Sequence, residues 1–433
     1  MNGQGWKSFP HSLCEPLTRK TREGEEKMKQ IDGGITAPKG FTVGSCAAGI
    51  KKRKKDMTVL ASATPATVAG AFTTNVVKAA PVVWDQQIVE ERLPVHALVV
   101  NSGNANACTG KQGEADVQAM AERVAKHLAV SSSQVLVCST GVIGVPLPMD
   151  TVLSGIDTCV SQMDSSAESA QSAAEAILTT DTFTKTVAVE IEVGGKTVRI
   201  GGMAKGSGMI HPDMATMLSF ITTDATIGAD HLQRLLGKSV QDSYNMISVD
   251  GDTSTNDTVL VFANGAADAP AIEAGTAADA VFTEAFQFVH TELAKQIVLD
   301  GEGAGKFIEV AVSGATSKHD ARLMARSIIS SSLVKTAFFG ADANWGRVLC
   351  AMGYAKAQFD PSSVSISYAS DSGMIVLIKD GVPIAFNEEL AKKILLEKII
   401  HVAVQVGDGA GEATAWGCDL SYEYVRINGD YRS

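Results

Sequence analysis

The sequence predicts an α/β fold, because apolar strand-like runs alternate with amphipathic helical ones along the chain. Residues 97–100 form an apolar run that ends abruptly in the polar residues 101–104. The helix that follows has its apolar residues on one face, at spacings of three and four: Val117, Met120, Val124 and Leu128. A second apolar run, residues 135–138, ends in Ser139, Thr140 and Gly141. This order is typical of α/β proteins, in which loops at the ends of buried strands carry the chemistry.

The rest of the chain continues the alternation. Residues 166–178, rich in Ala and Glu, predict a helix, and residues 187–193 and 197–200 predict a β-hairpin around two glycines. Further helices are expected over residues 231–246, 283–299 and 388–404, and further strands over residues 307–312 and 422–427. Residues 201–219 fit neither period and predict an ordered loop that threads the interior.

The composition is that of a large folded protein. The chain has 433 residues, of which 45% are hydrophobic and 20% charged, which excludes wholesale disorder. Its formal net charge of -11 argues against nucleic acid as a partner, because an acidic chain repels phosphate backbones. No apolar run approaches the roughly 20 residues that a membrane helix needs, and the first thirty residues lack a signal-peptide core. The seven cysteines are scattered and include no CxxC pair, so the sequence predicts neither disulfides nor a zinc site. This cysteine usage predicts a cytoplasmic location.

The front of the chain differs in character from the rest. Residues 19–29 mix both signs of charge, which predicts that residues 1–30 are a poorly ordered extension. Met28 is an alternative natural start to Met1.

Several familiar site motifs are absent or incomplete. Residues 301–306 (GEGAGK) are one residue short of a phosphate loop and have Phe307 where magnesium needs Ser or Thr, so we expect either a plain turn or a functional one that presents Glu302. Residues 250–254 resemble the start of a calcium loop, but Thr255 and Val261 occupy positions that need Gly and Glu. The basic run at residues 51–55 predicts a solvated loop. The histidines follow no metal-binding spacing, so we expect no metal.

What remains is a set of threonines in glycine-rich surroundings: Thr140, Thr180 and Thr216. A threonine becomes a nucleophile when a base lies beside it, and its own α-amino group serves after chain cleavage. The residue pattern alone leaves a structural and a catalytic role open for each of them.

The segment at residues 203–220 (MAKGSGMIHPDMATMLSF) resembles the self-cleavage region of the ornithine acetyltransferase family, also called glutamate N-acetyltransferases. Other segments match the family in the same order between residue 31 and the end: GGITAPKGF, FTTN, KAAPV, NSGNANACTG, STGVIG, TTDT, SVDGDTSTNDT, LDGEGA, GADANWGR and DLSYEYVRINGDYRS. The departures are the front of the chain and Ser433, where the family more often has Thr.

The resemblance implies a precursor that cuts itself between Ala215 and Thr216. The products would be an α chain of residues 31–215 and a β chain of residues 216–433, which assemble as a heterotetramer of two α and two β chains. The implied fold consists of layered sheets sandwiched between helices, similar to that of N-terminal-nucleophile enzymes.

The resemblance also implies the chemistry of the site. Thr216 would accept the acetyl group of N-acetylornithine and pass it to glutamate, while Thr140 and Gly141 would form the oxyanion hole. Lys205 would bind a substrate carboxylate and Glu302 a side-chain ammonium. The remaining implied substrate contacts are Thr180 (or its neighbour Thr179), Asn428 and Ser433. No cofactor is implied, and acetyl-CoA is a second acetyl donor in the bifunctional type that we favour. The alternatives are an enzyme that only recycles acetyl from acetylornithine, an aminopeptidase-like hydrolase and a non-catalytic binding module.

Overall fold

The structure of the protein, a computed structural model, describes residues 28–211 and 217–430. The strands in these ranges are β1 (Met28–Gln30), β2 (Phe41–Cys46), β3 (Met57–Phe72), β4 (Val95–Asn104), β5 (Val135–Val142), β6 (Lys185–Val193), β7 (Lys196–Lys205), β8 (Leu218–Thr223), β9 (Ile247–Ser248), β10 (Thr258–Ala263), β11 (Phe307–Ala315), β12 (Ser365–Ser370), β13 (Gly373–Lys379), β14 (Val382–Pro383), β15 (Ile399–Gln405) and β16 (Gly411–Cys418). The helices are α1 (Ala80–Glu90), α2 (Gly110–Leu128), α3 (Met149–Ser161), α4 (Ala167–Ala176), α5 (Ala229–Gln241), α6 (Ala277–Leu299), α7 (Lys318–Ser330), α8 (Ser332–Phe339), α9 (Trp345–Gly353), α10 (Glu388–Leu396) and α11 (Tyr422–Asp430).

The strands form two sheets. The first has the order β1-β6-β7-β8-β10-β3-β4-β5, and β2 pairs with the N-terminal half of the long strand β3. The second has the order β14-β13-β12-β15-β11-β16-β9. Both sheets are mixed: β4 runs parallel to β5 and β8 to β10 in the first, and β11 runs parallel to β15 in the second. The layered α/β architecture expected from the sequence is therefore present.

Helices cover both sheets, and α6 lies between them. It packs against β6 and β7 of the first sheet and against β16 and β9 of the second. Its buried side chains accordingly exceed a single stripe: Phe282, Ala285, Phe286, Val289, His290, Leu293, Ala294, Ile297 and Val298. In the first sheet, α2 and α3 pack on one face of β4 and β5, against Val99 and Val137, and α4 packs with Leu98 and Leu136 of the other face. The second sheet is covered by α7 and α10. Burying a helix on two sides joins the two sheets into one continuous apolar core.

Most elements predicted in the first half of the chain are confirmed. Helices α2 and α4 and the β6–β7 hairpin lie where the periodicity placed them. The strand ends differ, because β4 continues to Asn104 and β5 to Val142, so their polar segments are strand rather than loop. The predicted loop at residues 201–219 is wrong at both ends, because β7 extends through Lys205 and β8 begins at Leu218, whereas residues 206–211 belong to no helix or strand element. The glycines of β7 allow a close contact between Gly201 and the backbone of Gly34. A Cβ on Gly201 would lie 2.0 Å from the Gly34 carbonyl oxygen.

Three expectations elsewhere are corrected. The predicted helix over residues 388–404 ends at Leu396, and its second half is β15, because β-branched residues there pair with β12 and β11 on both sides. The predicted strand over residues 422–427 is helix α11, which has no fully buried residue and no neighbouring strand. Residues 28–30, assigned to the poorly ordered extension, instead form β1 and pair with β6. The rest of the extension lies outside the described residues.

None of the helices within the described ranges has the length and apolarity needed to cross a lipid bilayer.

Candidate active site

A cavity of about 360 Å³ opens where loops from both sheets meet. Its walls include seven residues that the sequence singled out: Thr140, Gly141, Thr179, Thr180, Lys205, Glu302 and Asn428. They come from the ends of β5 and β7, the turn after α4, the turn after α6 and helix α11. Segments up to almost 290 residues apart in sequence are thus brought to one small polar space.

The end of β5 supplies Thr140 and Gly141. β5 lies parallel to β4 at the edge of the first sheet, and Gly141 adopts a φ of 134°, a region that favours glycine. A Cβ at Gly141 would lie 2.3 Å from the Gly103 carbonyl carbon and 2.5 Å from the Asn104 nitrogen. Only glycine therefore fits this backbone, and the neighbouring Thr140 side chain and the backbone at 140–141 face the cavity.

A buried amide from the second half of the chain fixes this loop. Asn256 Nδ2 donates hydrogen bonds to the carbonyl oxygens of Ala105 (2.6 Å) and Ser139 (2.8 Å). Asn256 itself lines the cavity and is 6% exposed. Asn256 thereby ties the Ala105 segment to the end of β5, which carries Thr140 and Gly141.

Thr179 and Thr180 form the turn that follows α4, and both line the cavity. The backbone N–H of Thr179 donates to the carboxylate of Asp181 at 3.0 Å, which closes the turn. The open choice between the two threonines remains open, because both have access to the same space.

Lys205 ends β7 and is only 8% exposed. Within the described part of the chain, its Nζ atom donates no hydrogen bond to a protein acceptor. Lys205 lines the cavity, and its Nζ atom is not one of the solvent-excluded atoms that lack a partner, so an anionic group in the cavity can bind this ammonium. Lys205 is therefore suited to receive a carboxylate in the cavity.

Glu302 follows α6 on the glycine-rich turn, so the turn does present this side chain, as one of the two sequence interpretations held. Its backbone N–H donates to the Ser207 carbonyl oxygen at 2.9 Å, and Asn428 Nδ2 donates to its Oε2 atom at 2.8 Å. Glu302 is 8% exposed. Its carboxylate lies against Gly208, at which even a methyl group would overlap it. Backbone, glycine and amide together hold one carboxylate at the cavity wall.

Asp250 and Tyr424 are among the cavity residues that the sequence did not single out. Asp250 accepts hydrogen bonds from the backbone N–H groups of Met209 (2.6 Å) and Ile210 (2.9 Å), and burial raises its pKa. Tyr424 lies on α11, and its pKa is raised first by burial and then by the nearby carboxylate of Asp250. Asp250 belongs to the segment rejected as a calcium loop, which is also one of the motif matches, and Tyr424 belongs to the last of those matches; these motifs were the available signals.

Three predicted residues, Ala215, Thr216 and Ser433, lie outside the described residues. Met217, the chain neighbour of Thr216, lines the cavity. In the described ranges no group of three or more His, Cys, Asp or Glu side chains could hold a metal ion.

A polar cavity between the layers of an α/β fold, with opposite charges on its walls, defines an enzyme that acts on a small charged molecule. The model of the ArgJ family matches residues 42–433, and the chain belongs to that family. The resemblance read from the motifs is thereby confirmed, and the protein is an acyltransferase of that family. The layered α/β fold expected from it is present in the two sheets and their helices.

Its relatives match over nearly their whole length. The arginine biosynthesis bifunctional protein ArgJ of Caldanaerobacter subterraneus is 51% identical over 406 residues, which are 94% of this chain and 100% of that protein. The protein of the same name from Thermotoga neapolitana is 50% identical over 397 residues, 92% of this chain and 99% of that one.

Solved structures are also similar. The crystal structure of arginine biosynthesis bifunctional protein argJ from Bacillus halodurans is 46% identical, with a TM-score of 0.48, and covers 50% of this chain and all of that one. An ornithine acetyltransferase from Mycobacterium tuberculosis, complexed with ornithine, is 41% identical with a TM-score of 0.41 and covers 43% of this chain and all of that one.

Proposed function

We propose that the protein transfers the acetyl group of N-acetylornithine to glutamate through an acetyl ester on Thr216. The observation that carries the proposal is the composition of one cavity, in which Thr140 and Gly141 share the walls with the ammonium of Lys205 and the carboxylate of Glu302. Membership of a family whose relatives are named for arginine biosynthesis supports it further.

The charges suit an N-acylated diamino acid. Its α-carboxylate would bind Lys205, whose ammonium has no acceptor among the described residues, and its side-chain ammonium would bind Glu302. Asn428 already donates to one oxygen of Glu302 and leaves the other for the substrate. Thr180 would contribute a hydroxyl that can donate or accept, and Ser433 is proposed as a further contact.

In the first half of the reaction, the Thr216 hydroxyl oxygen attacks the acetyl carbonyl carbon while the α-amine of Thr216 takes the hydroxyl proton. The oxyanion of the tetrahedral intermediate accepts hydrogen bonds from the Thr140 hydroxyl and the Gly141 N–H. When the intermediate collapses, the carbon–nitrogen bond breaks and the proton passes to the leaving amine. The products are ornithine and acetyl-Thr216.

In the second half, the amine of glutamate attacks the ester carbonyl in the same oxyanion hole. The ester oxygen of Thr216 leaves and recovers its proton through the α-amine, which restores the enzyme and releases N-acetylglutamate. Both substrates carry an α-carboxylate, so one Lys205 serves both halves. No cofactor takes part, and acetyl-CoA can load the same threonine without a second acyl site, which is why we propose the bifunctional type.

The free α-amine of Thr216 requires cleavage of the Ala215–Thr216 bond. We therefore propose that the mature protein consists of an α chain ending at Ala215 and a β chain beginning at Thr216, assembled as a heterotetramer in the cytoplasm. The described cysteines carry no disulfide, which fits a reducing compartment.

The direct test is incubation of purified protein with N-acetylornithine and glutamate, followed by assay of ornithine and N-acetylglutamate. We expect both products in equal amounts, and none from Thr216→Ala. Release of acetate without glutamate would instead identify a hydrolase, and tight ornithine binding by an intact, inactive chain would identify a binding module.

Self-cleavage is tested by the mass of the chains. Wild-type protein should give fragments of residues 1–215 and 216–433, whereas Thr216→Ala should remain one chain. Cleavage of the alanine variant at the same bond would show that Thr216 is not the nucleophile of the cut.

The acetyl donor is tested separately. Mature enzyme should form N-acetylglutamate from acetyl-CoA and glutamate, more slowly than from N-acetylornithine. Activity with N-acetylornithine alone would assign the recycling type.

A further inference from the structure

A charged cluster that the proposed chemistry does not use lies directly beneath the cavity. Lys185 is fully buried, and its ammonium donates to Asp181 Oδ1 (2.7 Å) and to Asp300 Oδ2 (2.6 Å). Its remaining donor reaches the Phe183 carbonyl oxygen at 3.2 Å. The side chains of both aspartates are at most 2% exposed. We call Asp181, Lys185 and Asp300 the buried triad.

The aspartates of the buried triad also hold backbone that lines or adjoins the cavity. Besides Lys185, Asp181 accepts the N–H of Thr179 at 3.0 Å and the N–H of Gly206, which follows Lys205, at 2.7 Å. Asp181 thus fixes both the turn that carries Thr180 and the end of β7. Two separate walls of the cavity depend on one carboxylate.

Asp300 connects a third part of the cavity wall, the turn that carries Glu302, to the same network. Its carboxylate accepts the N–H of Thr182 at 2.9 Å as well as the Thr182 hydroxyl. Its carbonyl oxygen accepts the Ser207 hydroxyl at 2.8 Å, and the Ser207 carbonyl in turn accepts the N–H of Glu302 at 2.9 Å. The network therefore joins the backbone of Glu302 to that of the Lys205 strand end.

The charges of the cluster explain how Lys205 is left without an acceptor. Burial alone would raise the pKa of Asp181, but the ammonium groups of Lys205 and Lys185 and the hydrogen bonds hold that pKa below its usual range. Asp181 is thus a carboxylate close enough to Lys205 to stabilise its ammonium, yet its oxygens bond Lys185 and two backbone N–H groups instead.

We propose that the buried triad positions Lys205, the carboxylate-binding lysine. Lys185 takes up the hydrogen-bonding capacity of the Asp181 carboxylate, so that the negative charge of Asp181 stabilises the Lys205 ammonium while the N–H donors of Lys205 stay available to the substrate. The proposal rests on the proposed function, because it assigns Lys205 to the α-carboxylate. Two members of the buried triad precede the proposed cut and Asp300 follows it, so the same contact also joins the two chains at the site. Replacing a buried ion triad by apolar residues is often neutral or stabilising, so stability alone does not account for these charges.

The test uses Lys185→Met and the milder Asp300→Asn, both in mature protein. In Lys185→Met, Asp181 loses its side-chain donor and draws Lys205 toward itself, away from the substrate. We expect KM for N-acetylornithine to rise about tenfold or more, and kcat to change far less. Asp300→Asn keeps the Lys185–Asp181 contact, so we expect a smaller rise in the same direction.

A substrate without a carboxylate separates positioning from general damage. p-Nitrophenyl acetate acetylates Thr216 and releases nitrophenolate in the same reaction, which measures the rate. This reaction needs the nucleophile and the oxyanion hole but not Lys205. We expect this rate to be unchanged in folded Asp300→Asn while KM for N-acetylornithine rises.

Glu309→Gln is the matched control. Glu309 is a partly buried carboxylate of the second sheet that bonds His401 (3.1 Å) and Trp416 (2.8 Å) and does not line the cavity. It should lower the melting temperature without changing either rate. Equal losses with both substrates, or an unchanged KM in folded variants, would overturn the positioning role. Wild-type protein that reacts with p-nitrophenyl acetate but not with N-acetylornithine would overturn the proposed function itself.

Discussion

Gly208→Ala should impair substrate use while leaving the fold intact. A Cβ at position 208 would lie 2.3 Å from Cδ and from Oε2 of Glu302, whereas carbon atoms in contact lie about 3.5–4.0 Å apart. The Glu302 carboxylate must therefore move by more than about 1 Å, which breaks its 2.8 Å hydrogen bond from Asn428.

The magnitude follows from the contact that is displaced. A hydrogen bond to a charged group contributes about 1.5–3 kcal/mol, and each 1.4 kcal/mol is a factor of ten, so kcat/KM for N-acetylornithine should fall roughly 10- to 100-fold. The φ of Gly208 does not lie in the left-handed region, and the only close atoms belong to the end of a flexible side chain. The free energy of unfolding should therefore fall by no more than the roughly 1.5–3 kcal/mol of the broken Asn428 hydrogen bond, partly offset because alanine restricts the unfolded chain.

The assay is steady-state kinetics alongside thermal unfolding of the mature protein. Gly237→Ala, inside α5, is the control, because a Cβ there meets nothing within 4 Å; it should stabilise the helix and leave kcat/KM unchanged. The double variant Gly208→Ala with Glu302→Asp should lose less than the product of the single losses, since the shorter carboxylate avoids the new methyl group. Wild-type kcat/KM in a folded Gly208→Ala protein would refute the steric argument.

Three further predictions concern the oxyanion loop and the core. Thr140→Ala should lower kcat about 100- to 1,000-fold in mature protein, because it removes one oxyanion donor; a change confined to KM would assign Thr140 to substrate binding. Asn256→Ala should lower the free energy of unfolding by about 1–3 kcal/mol and also reduce kcat, since two buried carbonyl groups lose their donor. Chemical denaturation measures the first effect and steady-state kinetics the second. An unchanged kcat would show that Asn256 does not hold the oxyanion loop. His290 is fully buried, and burial lowers its pKa from 6.5 to about 3. The unfolded state alone binds a proton between these values, so stability should fall by about 1.4 kcal/mol per pH unit below pH 6.5, and His290→Leu should flatten that slope in denaturation curves; equal slopes would contradict it.

The site could be predicted from the sequence only as a set of residues. The motif matches named Thr140, Gly141, Lys205, Glu302 and Asn428, and the structure brings all five to one cavity. The buried triad could not be predicted in this way: Asp181 and Asp300 lie within two of the matched motifs, but nothing in the sequence pairs them with Lys185 until folding removes all three from water. Asp250 and Tyr424 were missed for the same reason: their place in the site depends on how the loop after β9 meets α11.

The sequence by itself determined which residues face the interior in α2 and β5, because a period of 3.6 or a compact apolar run encodes burial locally. Tertiary structure decided the state of residues 399–405, which continue a helical pattern but form β15 because strands flank them on both sides. It also decided that residues 422–427 are helical, since no strand lies beside them to complete a sheet. Strand pairing and the meeting of distant charges are long-range events, and neither is encoded in the spacing of neighbours along the chain.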